Sequence, residues 1–209
     1  MKVRITIIII LAFLISRKSA FSQEGFVRLC SESQLTIHGK SNINTFDCNY
    51  VFDEAEFNPV FPTIETAEKV EINNIKLSIP VNDCDCGNRL LNKDFRATLE
   101  AKEHPQIGIT IDKLVFAKHK NNDTGKKALY ALLQIAGEQR YKKINYRTNT
   151  IADQAFTMEG QIEINMESFD LVARTRLFGA IKVKDHVEIT FFFKFVKNNR
   201  PAICDRIQK

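Results

Sequence analysis

The stretch CDCGNRLLNKDFRATLEAKEHPQIGITI, residues 84–111, decides how the rest of the chain is read. Leu91, Phe95 and Leu99 fall at i, i+4 and i+8, which makes one apolar helical stripe. Asn88 stands ahead of the stripe as an N-cap, and Lys102 stands in the last turn, where the helix dipole favours a cation. Pro105 closes the helix, because the residue before a proline is pushed out of the helical region. The spacing therefore predicts a short helix over about 88–103. Ile107, Ile109 and Ile111 then alternate with Gly108 and Thr110, so the period drops to two and a strand begins.

On both sides the chain reads as strand. Leu35 and Ile37 alternate with Thr36 and His38, and residues 43–57 continue the pattern through Phe46, Cys48, Tyr50 and Phe52. Asn58-Pro59 and Pro62 break it, which predicts a rim loop over 58–68. Residues 69–80 form a strand whose phase slips at Asn73-Asn74, the mark of a bulge. Residues 121–125 have hairpin-loop composition, between strands over 106–118 and 127–136. The clearest strands are Phe156–Met166 and Val187–Phe195, each with one dry face and one wet face. Eight or nine strands with short connections predict an all-β antiparallel sandwich or barrel carrying one helix. An eight-stranded barrel is either packed solid or just wide enough for one slim ligand.

Lys2 and Arg4 precede an 11-residue apolar run, Ile5–Ile15, followed by Ala20 and Ser22. The run has the length of a secretory leader and falls short of the ~20 residues that span a bilayer. Residues 1–22 are expected to be a signal peptide cleaved before Gln23, with 23–209 as one domain. Arg17 and Lys18, just after the run, are the feature that favours a retained anchor instead. No cysteine is placed for lipoprotein processing. The leader carries four of the 30 basic residues and no acid, leaving 26 basic against 25 acidic residues. A nearly neutral mature chain gives no support for nucleic-acid binding. Export favours oxidation of Cys30, Cys48, Cys84, Cys86 and Cys204, and an odd count leaves one over. Cys84 and Cys86 are too poorly placed to bridge each other on an extended chain, so at least one pairs elsewhere.

Three stretches resemble the YceI-like family of exported, polyisoprenoid-binding, lipocalin-like barrels. They are LTIHGKSNINTFDCNY (35–50), CGNRLLNKDFRATLEAKEHPQIGITI (86–111) and FGAIKVKDHVEITFFFKF (178–195), and the likeness spans roughly residues 30–197. The resemblance implies an extended eight-stranded antiparallel lipocalin-like barrel capped by the helix. It implies a lumen able to hold an isoprenoid lipid or isoprenoid quinone. It also implies a Cys48–Cys86 disulfide, leaving Cys30 and Cys204 to pair and Cys84 as the odd thiol. The stretch LVARTRL before Phe178 departs from the family, with Arg174 and Arg176 where relatives often carry prolines.

The expected ligand-lining residues are Ile107, Ile109, Ile111, Leu133, Ile135, Phe156, Met158, Ile162, Ile164, Phe178, Phe191 and Phe193. No catalytic residue, metal ligand or resident cofactor is expected. His38, His104, His119 and His186 share no metal-ligand spacing, and His104 reads as a helix-end residue. Asn92, Lys93 and Asp94 read as a polar helix start that fixes the helix in place, and Lys126, Lys127, Lys142 and Lys143 as solvated strand ends. The function expected is that of a periplasmic or secreted, non-catalytic lipid carrier with no stable membrane insertion once the leader is removed. The alternatives are an envelope or stress-related interaction protein on a solid barrel, working through loops near 58–68 and 147–176, and a thiol-redox protein using Cys84.

Overall fold

A computed structural model of the protein describes residues 22–52, 59–118, 125–152, 155–172 and 182–197. Their strands are β1 (Gln23–Leu29), β2 (Gln34–Lys40), β3 (Thr45–Val51), β4 (Val60–Glu65), β5 (Lys69–Pro80), β6 (Gln106–Ala117), β7 (Lys127–Ile135), β8 (Glu138–Ala152), β9 (Ala155–Asn165) and β10 (His186–Lys197). One α-helix, α1 (Arg89–Thr98), joins β5 to β6. Eight strands form an antiparallel ring in the order β1-β4-β5-β6-β7-β8-β9-β10, and β10 returns to β1 through Leu29 opposite Phe195. The expected eight or nine strands become ten because β4 is added and β1 and β2 are separate strands; β2 and β3 stand beside the ring.

These two extra strands arise because β10 has two partners along one edge. Phe195–Lys197 pair with β1, and Glu188–Phe192 pair with β2. β1 and β2 are therefore two halves of one long strand, broken at 30–33. The break is sewn to β10: Cys30 N–H donates to the Lys194 carbonyl at 2.9 Å, and Lys194 N–H donates to the buried Ser33 hydroxyl at 3.0 Å. β2 then pairs with β3 over seven residues. The outer edge of β3 meets the segment ahead of the helix, where Asn49 and Asp85 exchange both backbone hydrogen bonds (2.8 and 2.9 Å).

Three local expectations need correction. Val60–Glu65 is a strand, β4, and not a loop. Pro62 sits in it opposite Phe26 of β1, just outside the β4–β5 ladder that begins at Thr63. Its missing N–H costs no bond on the β5 side, which is how a strand tolerates proline. The phase slip at Asn73-Asn74 is real but is not a one-sided bulge. Asn74 takes a positive φ of 52°, and β6 slips in phase at Asp112-Lys113, so the β5–β6 register is the same on both sides of the kink. Both strands turn a new row inward together, from Ile75 to Ile72 and from Ile111 to Leu114.

The third correction is the helix end. Thr98 is the last helical residue, well ahead of Pro105. Glu100 adopts φ 51°, Ala101 N–H donates to Arg96 O at 2.9 Å, and Glu100 N–H to Ala97 O at 3.4 Å. That is a Schellman stop built on a glutamate where glycine is usual, and so invisible to a search for glycine. The start is as expected: Asn88 Oδ1 accepts from Leu90 N–H (3.0 Å) and Leu91 N–H (2.9 Å). The β7–β8 turn, Ala136-Gly137, has φ 48° and 83°. Gly137 is doubly required there, since a Cβ would lie 2.8 Å from the His104 ring. His104 is thus a packing residue against the turn.

Candidate functional site

Alternation sends one row from every ring strand into the interior, and its centre is filled by aromatic rings. Phe52, Phe61, Phe116, Phe156, Phe191, Phe193 and Phe195 form a connected set with centroids 4.7 to 6.5 Å apart. Phe191 and Phe193 stack at 4.7 Å. Room for Phe191 comes from Gly160 directly opposite, where a Cβ would stand 2.5 Å from the ring. Ile109, Ile111, Leu133, Met158 and Ile162 are buried in the same interior.

At the helix end the packing opens into an apolar cavity of about 110 Å³. Its wall includes Ile107, Ile135 and Ile164, which the strand phase placed in the interior, together with Ile37, Val187 and Ile189. Its roof is the helical stripe Leu91, Phe95 and Leu99. Phe46, lying across Gly39, closes one side, and Met166, Leu171 and Val183 close the far side. Of the lining side chains only Asp94 and Thr98 are polar. The expected residues thus divide: three line the cavity, eight lie in the packed interior, and Phe178 lies outside the described residues. Sequence reading missed most of the lining, because Ile37, Val187 and Ile189 become neighbours of Leu91 only through β2–β10 pairing across some 150 residues. The inward phase of those residues was the available signal.

The helix rests lightly on this cavity. None of its ten residues is buried, and Leu91 and Phe95 are only half-buried. What holds it is polar and covalent. Cys48 on β3 is joined to Cys86 just before the helix. Asn92 Oδ1 accepts from Cys86 N–H at 2.6 Å, and Asn92 Nδ2 donates to Asp85 Oδ1 at 3.0 Å. That bond, with a second from Gly87 N–H, holds the exposed Asp85 carboxyl below its ordinary pKa. Arg96 donates to the Asn82 carbonyl at 2.7 Å.

Cys84 lies beside this latch as a buried free thiol, donating weakly to the Pro80 carbonyl. Burial first, and Asp83 second, push its pKa up to about 12. A buried thiol that stays protonated is a poor nucleophile, so neither its burial nor its charge state favours Cys84 as a redox group. Cys30 is itself in a disulfide. Cys204, Arg174, Arg176 and His119 lie outside the described residues.

One hydrogen-bonded relay escaped the sequence reading. Asp47 Oδ1 lies 2.8 Å from His38 Nδ1, and His38 Nε2 lies 2.8 Å from Thr190 Oγ1. The order is that of a hydrolytic triad, but the setting is an outward sheet face. Thr190 is laddered on both sides, to Thr36 and to Gln161. The relay reads as a clamp across β3, β2 and β10. Among the described residues, no group of three or more His, Cys, Asp or Glu side chains is placed to hold a metal.

The comparisons agree with this architecture. No curated protein matches the chain. Among solved structures, a polyisoprenoid binding domain from Saccharophagus degradans, implicated in plant cell wall breakdown, superposes with a TM-score of 0.57 at 11% identity. The match covers 84% of this chain and 99% of that one, and at that identity it speaks for the fold alone. BcnA of Burkholderia cenocepacia is 17% identical over 78% of this chain and 95% of its own, with a TM-score of 0.49. A YCEI protein from Campylobacter jejuni is 15% identical over 77% and 85%, with a TM-score of 0.44. The YceI-like domain model matches residues 52–195, from just after β3 through most of β10, and so includes the helix and the cavity wall apart from Ile37, Gly39 and Phe46. By that match the chain belongs to the YceI-like domain family.

Proposed function

We propose that the protein is an exported, non-catalytic carrier whose ring acts as a lipocalin-like barrel for one long apolar lipid, a polyisoprenoid or an isoprenoid quinone. The observation that carries this reading is the apolar cavity at the helix end, walled by isoleucines and roofed by a helix of which no residue from Arg89 to Thr98 is buried. The likeness to a polyisoprenoid binding domain and the resemblance of residues 1–22 to a secretory leader support it. At about 110 Å³ the cavity is smaller than the ~300 Å³ at which small-molecule sites begin. A long chain therefore enters by lifting α1 about its Cys86 tether and displacing the rings beyond, beginning with Phe191. Each buried methylene contributes on the order of 0.8 kcal/mol, so a tail of several isoprene units offsets that rearrangement. The residues assigned to the ligand are Ile107, Ile135 and Ile164 at the mouth, then Ile109, Ile111, Leu133, Phe156, Met158, Ile162, Phe191 and Phe193.

Val187→Phe tests the assignment, because the larger ring fills the cavity. Titration with a fluorescent long-chain alkyl probe should show at least tenfold weaker binding than wild type, with melting temperature unchanged or raised. Unchanged probe affinity would place the chain elsewhere. A second reading is favoured by the connected phenylalanine set: a solid scaffold that works as an envelope interaction protein. On that reading neither protein binds the probe.

A further inference from the structure

The outer face of β7 and β8 carries an arrangement that the ring does not require. From Ala128 to Gln134 on β7 and from Gln139 to Asn149 on β8, every second residue points away from the interior, and none of them is Asp or Glu. Tyr130 and Tyr141 are each 68% exposed, far more than strand aromatics that serve packing. They sit diagonally, because Tyr130 pairs with Lys143 and Tyr141 pairs with Leu132. Farther along the strip, exposed Lys126 and Arg147 line one shallow groove. Lys126, Lys143 and Arg147 make no ion pair among the described residues, although Glu159 is the cross-strand partner of Arg147. The strip from Tyr141 to Arg147 is about 20 Å long at the usual rise of a strand. Tyrosine bodies beside cations suit a bilayer interface, where the rings sit among headgroups and the cations meet lipid phosphate.

We propose that this face docks the protein on an anionic bilayer surface. Next to it lies one of the short ladders of the ring. β6 and β7 pair only through Gly108–Thr110 and Leu132–Gln134, although β6 runs on to Ala117 and β7 begins at Lys127. Docking therefore brings the parted β6–β7 seam against the membrane that supplies an apolar ligand. The inference builds on the lipid-carrier reading, but the two fail separately.

Flotation with vesicles of phosphatidylcholine containing about 30% phosphatidylglycerol tests it, with pure phosphatidylcholine vesicles as control. Wild type should float with the anionic vesicles, not with the neutral ones, and should be released by high salt. Lys143→Ala/Arg147→Ala should bind on the order of 30-fold more weakly, from the loss of two surface charges. Tyr130→Ser/Tyr141→Ser should also lose binding, and both variants should keep the wild-type melting temperature and the wild-type affinity for the alkyl probe in vesicle-free solution. The proposal is overturned if wild type does not float, if it floats equally with neutral vesicles, or if the charge variant floats like wild type. Retention on a soluble polyanion without vesicle binding overturns it too. Vesicle binding by a wild-type protein that does not take up the probe would sink the carrier reading and leave the docking face standing.

Discussion

Glu65 holds two lysines at once, Lys118 at 2.5 Å and Lys197 at 2.8 Å, and ties the end of β4 to the ends of β6 and β10. Partial burial pushes its carboxyl up, but the two lysines outweigh burial and leave the pKa below the ordinary 4.5. Glu71 is held low mainly by Lys69, with Lys113 adding to it. A carboxylate whose folded pKa is depressed stabilises the fold above its unfolded value and loses that contribution as pH falls through the folded one. Melting temperature should therefore be flat toward neutral pH and fall below about pH 4.5, and Glu65→Gln should shrink that acid-side loss. An acid limb identical to wild type would contradict the role given to the pair of lysines. Cys84 gives a second check. Iodoacetamide at pH 8 should leave the native thiol unlabelled and label it fully in urea, since burial keeps it protonated and out of reach. At this scale the sequence identifies the residue types but not the pairs. Nothing in the spacing joins Glu65 to Lys197, or His38 to Thr190, until β1–β10 and β2–β10 registers are known.

The helix is the element on which the site depends, and its weak packing makes its tether important. Cys48–Cys86 closes a loop with a sequence separation of 38, worth up to about 4 kcal/mol in the chain-entropy account. Cys48→Ser/Cys86→Ser should lower stability by roughly 2–4 kcal/mol in denaturant titration. Amide exchange over Arg89–Thr98 should speed up more than exchange over β9, because the helix has no buried residue to hold it. Equal acceleration in helix and sheet would mean that the helix is docked by packing and not by its tether. The periodicity of Leu91, Phe95 and Leu99 was enough to find this element and its inner face. Its end was not legible, because a left-handed Glu100 has no signature in composition. β4 was hidden for the opposite reason: Pro62 announces a break that a one-sided ladder makes harmless.

For the molecule as a whole, strand phase separated inside from outside but did not say whether the inside is full. That question depends on volume. Gly160 opposite Phe191 gives up space that the ring then takes, and seven phenylalanines in contact occupy the centre. Phe193 touches Phe52, Phe191 and Phe195, so Phe193→Ala should cost about 3–5 kcal/mol, and Phe193→Asp should prevent folding. A loss below about 1 kcal/mol for the alanine variant would mean the rings are not packed as the contacts imply. The cavity was likewise out of reach of pattern reading, because it is what remains between helix, β2, β6, β9 and β10 after each has been placed. Whether the rings part for a ligand is the central claim, and mass spectrometry of organic extracts from the natively purified protein tests it most directly. The account predicts one long apolar lipid per chain, retained through purification and displaced by the alkyl probe. Extracts repeatedly free of such a lipid, from protein that also fails to take up the probe, would contradict it.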